Sequence, residues 1–288
     1  MITYENKQFD AERALYGTKN AEVTKCRFDG PADGESALKE CEDISVSDCF
    51  FNLRYPLWHV KNAVIRNSEM TESCRAALWY DSNVTIENCV MNGIKALREG
   101  DGISISDSRV SSPEFLWKCR GVKINNVSLT SEYPLFECRG VTANGLKMVG
   151  KYSFQYVENM TIENSELDTK DAFWHSKNVT VSDSVVKGEY LGWYSENLKF
   201  VRCRIIGTQP LCYCKGLVLE DCIMENTDLS FERSEVNAVV NGRIDGVKNP
   251  LSGSICADEI GELLIETAYV NESSAEIKCG NIINKEVI

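Results

Sequence analysis

The stretch Lys177-Asn178-Val179-Thr180-Val181-Ser182-Asp183-Ser184-Val185-Val186 decides the fold, because its pattern returns along the chain at an almost fixed interval. From Glu42 to Lys215 every interval between copies is 19 residues except one of 21. So regular a spacing indicates repeated coils that stack on one another. The copies begin at Lys19, Glu42, Lys61, Ser82, Asp101, Arg120, Arg139, Glu158, Lys177, Glu196, Lys215 and Glu235.

The spacing inside each repeat indicates strands rather than helices. Counted from the first residue of each copy, positions three and five are apolar, as at Val84 and Ile86. Position seven is usually Asn, Asp or Gly, the residues that tolerate the left-handed backbone of a bend. This pattern predicts a strand, a turn and a second strand. A second apolar block later in the repeat, for example residues 171–176, predicts a third strand.

Three short strands per repeat, each paired with its copy in the next coil, describe a parallel β-helix. We therefore predict an all-β, single-domain protein with 11–12 coils of about 19 residues. The six-residue period typical of left-handed β-helices is absent, so a right-handed helix is expected. Residues 1–41 are predicted to form an N-terminal cap and a first irregular coil, 42–253 the regular coils, and 254–288 a C-terminal irregular coil or cap.

Composition argues against several classes of partner. The net charge of −12 and the lack of a basic stripe disfavour nucleic acid. No apolar run is long enough to span a membrane, so no membrane partner is expected. The first residues lack the basic and apolar regions of a secretory signal, which predicts a cytoplasmic protein.

The 13 cysteines occupy columns of the repeat in which Ser and Val also occur. Cys89 shares position eight with Ser108, and Cys138 shares position nineteen with Val157. A column that accepts Cys, Ser and Val needs a small buried group, so we predict reduced thiols in the core. No metal site and no cofactor are expected.

Several segments laid over the repeat are distinctive: 12–16, 33–40, 53–59, 150–156, 169–175, 188–195 and 207–214. They resemble an uncharacterised bacterial family, a domain of unknown function placed in the pectin-lyase-like superfamily of right-handed parallel β-helices. The resemblance covers nearly the whole chain and implies the same fold that the periodicity predicts. It brings no established catalytic residues, so none is carried over.

The predicted third strand has large apolar residues at both positions sixteen and seventeen, so one of these columns is expected to face outward. Interleaved with them are charged, amide and further aromatic side chains, and such a ribbon suits a neutral carbohydrate. The predicted ligand-binding residues are Arg54, His59, Lys151, Tyr156, Lys170, Trp174, Tyr190, Trp193, Tyr194, Gln209 and Glu232.

The ribbon leaves three interpretations open: a carbohydrate-binding or carbohydrate-processing groove, a face buried against a partner subunit or the N-terminal segment, and burial of both columns at a corner of the coil. For processing, a glycoside hydrolase would use Asp171 and Glu189 as its carboxylate pair, with His175 as acid or base. A lyase-like activity would use Lys151 and Lys170. The non-catalytic alternative is a structural scaffold, with a homodimer that pairs through the same face.

Overall fold

A computed structural model of the protein describes residues 1–272 and 274–288. The chain divides into two compact units, Met1–Lys147 and Met148–Ile288. Each unit is a parallel β-solenoid whose coils are about 19 residues long, so the predicted all-β parallel β-helix fold is confirmed. The described residues contain no helix, and therefore none with the length and apolar character of a membrane span.

The strands of the first unit are short, mostly two to six residues long. In chain order they are β1 (Ile2–Glu5), β2 (Gln8–Phe9), β3 (Lys19–Thr24), β4 (Arg27–Phe28), β5 (Glu42–Ser47), β6 (Phe50–Phe51), β7 (Leu57–Trp58), β8 (Lys61–Arg66), β9 (Glu69–Met70), β10 (Leu78–Trp79), β11 (Ser82–Glu87), β12 (Val90–Asn92), β13 (Leu97–Arg98), β14 (Asp101–Ser106), β15 (Arg109–Ser111), β16 (Glu114–Phe115), β17 (Arg120–Asn125), β18 (Ser128–Ser131), β19 (Tyr133–Pro134) and β20 (Arg139–Asn144).

The strands that follow become longer towards the C-terminal end of the chain. They are β21 (Lys147–Gly150), β22 (Glu158–Glu163), β23 (Glu166–Asp168), β24 (Lys177–Ser182), β25 (Val185–Lys187), β26 (Glu196–Val201), β27 (Arg204–Ile206), β28 (Leu217–Glu225), β29 (Glu235–Val240), β30 (Arg243–Lys248), β31 (Ser252–Ile265) and β32 (Ala275–Val287).

The first side of each coil, at positions one to six, sets the register of the solenoid. Val84 lies beside Ile103 in the next coil, and in the second unit Met160 lies beside Val179. All four side chains are buried, because alternate residues of a strand point to the same face. Residues nineteen apart are therefore neighbours, as the repeat predicts.

The described residues contain more coils than the predicted 11–12. Eight strands form the first side in the first unit and seven in the second, which gives about 15 turns. The additional turns come from the two ends of the chain. β1 pairs in register with β3, and β32 pairs with β31, so segments without a clear repeat still stack as coils. The boundaries proposed near residues 41 and 253 remain predictions.

One coil of the first unit, residues 61–81, is two residues longer than the coils on either side of it and keeps the same register. Met70 lies beside Phe51, nineteen residues earlier, whereas Leu78 lies beside Leu57, twenty-one residues earlier. The two additional residues therefore lie between Met70 and Leu78, in the turn that joins β9 to β10. The next coil begins in register, with Ser82 beside Lys61.

The corners of the coils explain the recurrent Asn at position two. Asn159, Asn178 and Asn197 have φ values of 57°, 53° and 54°, a left-handed conformation that Asn tolerates. Their side chains also join successive coils. The Asn178 amide donates to Asn159 Oδ1 at 3.1 Å, and the Asn197 amide donates to Asn178 Oδ1 at 3.0 Å.

The third side differs from the predicted third strand. In the first unit it contains two-residue strands such as β7 and β10, whereas in the second unit it consists of turns and bends in the coils that carry residues 151–156, 170–175, 189–194 and 207–213. The reason is the backbone: Asp171, Phe173 and His175 have φ values of 51°, 62° and 54°, so every second residue is left-handed. The two-fold alternation of side chains in an ordinary strand does not apply there.

Eleven of the cysteines are buried and free, and only Cys256 and Cys279 reach the surface of the described chain. Burial raises the pKa of the Cys41 thiol to about 11 and that of Cys49 to about 12. Because the thiolate is the reactive form, these groups are protected by both burial and protonation.

We expect Ellman's reagent to modify only Cys256 and Cys279 in the native protein within minutes, and all 13 thiols after unfolding in denaturant. Replacing both exposed residues by serine should abolish the fast reaction. Rapid reaction of four or more thiols in the native protein would contradict the buried placement of the others.

Asp81 is an exception in the buried column at position nineteen of the first unit. Its side chain lies where other coils carry Val60 and Cys119, and the residue is 1% exposed. Oδ1 accepts the backbone N–H of Val60 at 2.8 Å, while Oδ2 has no partner among the described residues. Burial raises the pKa of this carboxyl well above its usual range, because the charged form would lose its hydration.

Candidate binding surface on the third side

The most regular exposed feature of the second unit is a stack of four rings at position eighteen, which we call the outer ring stack: Tyr156, His175, Tyr194 and Tyr213. Successive ring centroids are 4.9, 5.2 and 4.9 Å apart, with interplanar angles of 11°, 8° and 12°. Tyr156 and Tyr194 are each 47% exposed. Because the faces cover one another, the stack presents ring edges to solvent.

Position seventeen holds the indole rings of Trp174 and Trp193, stacked 5.5 Å apart at 5°. The Trp174 Nε1–H donates to the Tyr190 carbonyl at 2.7 Å, and the Trp193 Nε1–H donates to the Gln209 carbonyl at 2.9 Å. These bonds hold the indoles half-buried against the backbone of the next coil. Position sixteen is buried and position seventeen is half-buried, so position eighteen is the most exposed of the three columns.

The indole of Trp193 lies between two tyrosine rings and contacts both edge to face. The centroid of Tyr190 is 5.5 Å away at an angle of 76°, and that of Tyr194 is 6.4 Å away at 80°. Tyr190 belongs to position fourteen and Tyr194 to position eighteen of the same coil. The half-buried indole thus forms an apolar strip between the half-buried Tyr190 and the exposed Tyr194.

Charged groups follow the position-thirteen edge of this strip. The Lys170 ammonium lies 2.8 Å from the Glu189 carboxylate and 5.5 Å from the centre of the Tyr190 ring. Both Lys170 and Glu189 belong to position thirteen of successive coils, as does the exposed Lys151. At this edge Lys170 of one coil therefore forms an ion pair with Glu189 of the next coil.

Asp171 is buried at position fourteen, one residue after Lys170. Burial raises the pKa of its carboxyl; the nearby Lys170 acts in the opposite direction, and Glu189 adds to the rise. The Asp171 backbone N–H donates to the Glu189 carbonyl at 3.0 Å. His175 belongs to the outer ring stack, at position eighteen of the same coil. Catalytic roles for these three residues remain predictions.

The outer ring stack meets a charged cluster near the C-terminal coils. The Tyr213 hydroxyl donates to the Glu232 carboxylate at 3.3 Å, and Lys248 lies 3.2 Å from Glu232 and 3.4 Å from Glu266. Partial burial and the Glu232 carboxylate both raise the pKa of Tyr213. The predicted ligand-binding residues include Glu232 but not Tyr213, Lys248 or Glu266. Tyr213 shares its column with Tyr194, a usable signal, whereas Lys248 and Glu266 lie where the repeat has faded.

Two predicted residues, Arg54 and His59, belong to the first unit. The Arg54 guanidinium donates a hydrogen bond to Asp33 Oδ1 at 3.0 Å and lies 3.4 Å from the Glu35 carboxylate. His59 stacks on Tyr80 with centroids 4.9 Å apart. Beyond Tyr80 the position-eighteen column of this unit continues with Glu99, Lys118 and Glu137 rather than with rings.

Within the chain as described, no three His, Cys, Asp or Glu side chains are arranged to hold a metal ion. The third side of the second unit combines several kinds of polar group with apolar rings. It offers tyrosine hydroxyls, imidazole nitrogens, amides and paired charges above an apolar strip, which suits a ligand with many hydroxyls and little net charge.

A family model described as "Protein of unknown function (DUF3737)" matches residues 2–278. No curated protein is significantly similar to the chain.

Several solved structures are distantly similar. The A-module of the mannuronan C-5 epimerase AlgE4 of Azotobacter vinelandii is 11% identical, with a TM-score of 0.35, over 82% of this chain and 87% of that one. PfbA, a surface adhesin of Streptococcus pneumoniae, is 8% identical, with a TM-score of 0.38, over 93% and 83%. HetL, a pentapeptide repeat protein of Nostoc, is 13% identical, with a TM-score of 0.33, over 77% and 92%. Likenesses this weak carry no argument about function.

Proposed function

We propose, for a chain that belongs to the DUF3737 family of proteins of unknown function, that the third side of the second unit binds a neutral oligosaccharide. The binding residues are those of the outer ring stack together with Trp174, Trp193, Tyr190, Lys170, Gln209 and Glu232. The observation that carries the proposal is the regular repeat of exposed polar ring edges, about 5 Å apart over four coils.

The repeat distance fits an extended polymer of identical units. A spacing of 4.9–5.2 Å is close to the length of one sugar residue in an extended chain, so each ring can meet one residue of the ligand. The tyrosine hydroxyls donate to and accept from sugar hydroxyls, and the indole strip contacts the C–H face of the sugar rings. A small molecule with no repeat would engage only part of this surface.

The charge pattern favours a neutral ligand over a charged one. Lys170 is balanced by Glu189 at 2.8 Å, and Lys248 by Glu232 and Glu266 at 3.2 and 3.4 Å. Neither cluster offers an excess of positive charge to a polyuronate. With a net charge of −12, the chain also repels polyanions at long range.

Binding, rather than turnover, is the function that these groups support best. Hydrolysis by a retaining mechanism needs two carboxyls facing one glycosidic bond about 5 Å apart. Glu189 is exposed but paired with Lys170, and Asp171 is buried, so the two carboxyls do not form an open pair that faces one bond. If hydrolysis does occur, Glu189→Gln should abolish it, and reducing-sugar assays on the oligosaccharides that bind would measure this.

We expect a thermal-shift screen with neutral gluco-, manno-, galacto- and xylo-oligosaccharides to find at least one series that stabilises the protein. Affinity measured by calorimetry should rise with length up to about four sugar residues, because four rings form the stack. Tyr194→Phe, which removes one hydroxyl and keeps the ring, should weaken binding about two- to tenfold, the usual worth of one hydrogen bond.

The matched control for that variant is Tyr80→Phe, which makes the same change in the short ring pair of the first unit. It should leave the affinity unchanged. If no oligosaccharide stabilises the protein, or if the two variants weaken binding equally, the proposal is wrong. Loss of a stable dimer in Tyr194→Phe would instead favour the scaffold that pairs through this face.

A further inference from the structure

The last strand, β32, has a free edge in the part of the chain that the structure describes. It is 13 residues long and pairs with β31 on one side, while no other described strand pairs with its second side. Such an edge carries a row of unpaired backbone N–H and C=O groups, which readily adds another strand. Ile283 is 57% exposed and Val287 43% exposed on the same segment.

The hydrogen bonds near the end of β32 identify the backbone groups that point outward. The Ile288 N–H donates to the Ile265 carbonyl at 2.9 Å, and the Ile288 carbonyl accepts the Thr267 N–H at 2.6 Å. In a parallel pair, alternate residues bond to the neighbouring strand. The N–H groups of Val287, Lys285 and Ile283 therefore face away from β31.

The free edge is bent, which restricts what can cover it. Residues 275–279 of β32 pair with 253–257 of β31, and residues 281–287 pair with 259–265. The two arms of β31 continue different sides of the solenoid, since one pairs with β29 and the other with β30. The corner between the arms of β32 lies at Gly280, where a Cβ would come within 2.8 Å of the Asp258 carbonyl oxygen.

A straight peptide can pair with one arm of this edge, whereas a coil with the same corner can pair with both. The opposite end of the chain does not match, because β1 has four residues and β2 has two. The edge that does match in length and corner is β32 itself, reversed by a two-fold rotation through the corner. An interface of this kind closes after two copies and does not propagate into a fibre.

We propose that a second copy of this chain pairs with the free edge, β32 against β32 in antiparallel orientation, about a two-fold axis at the corner near Gly280. The interface is separate from the proposed carbohydrate surface, which uses side chains of the third side. Each copy contributes the outward N–H and C=O groups of both arms, together with the exposed side chains of Ile283 and Val287.

Sedimentation equilibrium over a wide range of concentrations should reveal a monomer–dimer equilibrium. Ile283→Pro removes one outward N–H and leaves the bonds to β31, a position where an edge strand tolerates proline. It should raise the dissociation constant of the dimer at least tenfold with little change in melting temperature of the monomer. Ile283→Thr, which keeps the N–H, is the matched control and should dimerise nearly as well as the unchanged protein.

Hydrogen exchange supplies a readout that does not depend on a variant. Between dilute and concentrated protein, the amides of Ile283, Lys285 and Val287 should become protected, and those of the outer ring stack should not. If Ile283→Pro unfolds the last coil, Val287→Pro makes the same test at a second outward position. A protein that stays monomeric, or a dimer without protection at these amides, would overturn the proposal.

Discussion

Replacing Gly207 with alanine should destabilise the protein by more than about 3 kcal/mol, an unusually large effect for adding one methyl group. Gly207 has a φ of 128°, and a Cβ there would overlap the carbonyl oxygen of Gly188 in the preceding coil. Gly188 in turn leaves no room for a Cβ against the carbonyl of Thr169. The clash is with backbone, so relief requires movement of two stacked coils rather than rotation of a side chain.

The matched control is Gly242→Ala, in the same unit. Gly242 has a φ of 87° but nothing within 4 Å of an added Cβ, so its substitution isolates the cost of a left-handed backbone. That cost is about 1–2 kcal/mol. Urea denaturation of both variants measures the difference between their free energies of unfolding. Equal destabilisation would show that the coils are not closely packed at Gly207.

Asp81→Asn should stabilise the protein at pH 7 and flatten the dependence of its stability on pH. The folded state raises the pKa of this carboxyl well above its usual range, so the folded protein binds the proton more tightly than the unfolded chain. Stability must then fall as pH rises from about 4 towards the folded pKa, by up to about 1.4 kcal/mol per pH unit. Asparagine keeps an acceptor for the Val60 N–H and has no charge to lose.

Denaturation midpoints measured from pH 4 to 8 test this prediction. Asp183→Asn is the matched control, because the pKa of this exposed carboxyl is lowered by its hydrogen bonds to Arg202. Asp183 therefore contributes stability that is present above its unfolded pKa and lost as pH falls, which is the opposite sign. A slope that is the same in Asp81→Asn and in the unchanged protein would mean that Asp81 is already ionised in the folded state.

The repeat was enough to predict the first two sides of each coil, because strand periodicity states which residues point inward. Val84 and Met160 face the core as expected, and the left-handed Asn residues mark the corners. The two ends were predicted only as caps and irregular coils, and the number of coils was too low, because stacking requires only compatible backbone and a few apolar residues. β1 and β32 meet that requirement without repeating the pattern.

The third side was harder to predict because its backbone alternates between two conformations. Left-handed residues at Asp171, Phe173 and His175 direct position eighteen outward, although period-two reasoning assigns the outward face to position sixteen or seventeen. The hydrogen bonds from the indole N–H groups of Trp174 and Trp193 to backbone carbonyls likewise cannot be predicted from the repeat. The predicted residues still include three of the four outer rings, because they share a column.

The 21-residue coil indicates how solenoids of this kind tolerate change in length. Two additional residues between Met70 and Leu78 leave the strand partners on either side unaltered. An insertion at that turn alters only the local surface, whereas a one-residue insertion inside β8 or β11 would turn the following side chains of that strand to the opposite face. Changes in length can therefore be accommodated at the turns, where they alter the surface and leave the pairing between coils unchanged.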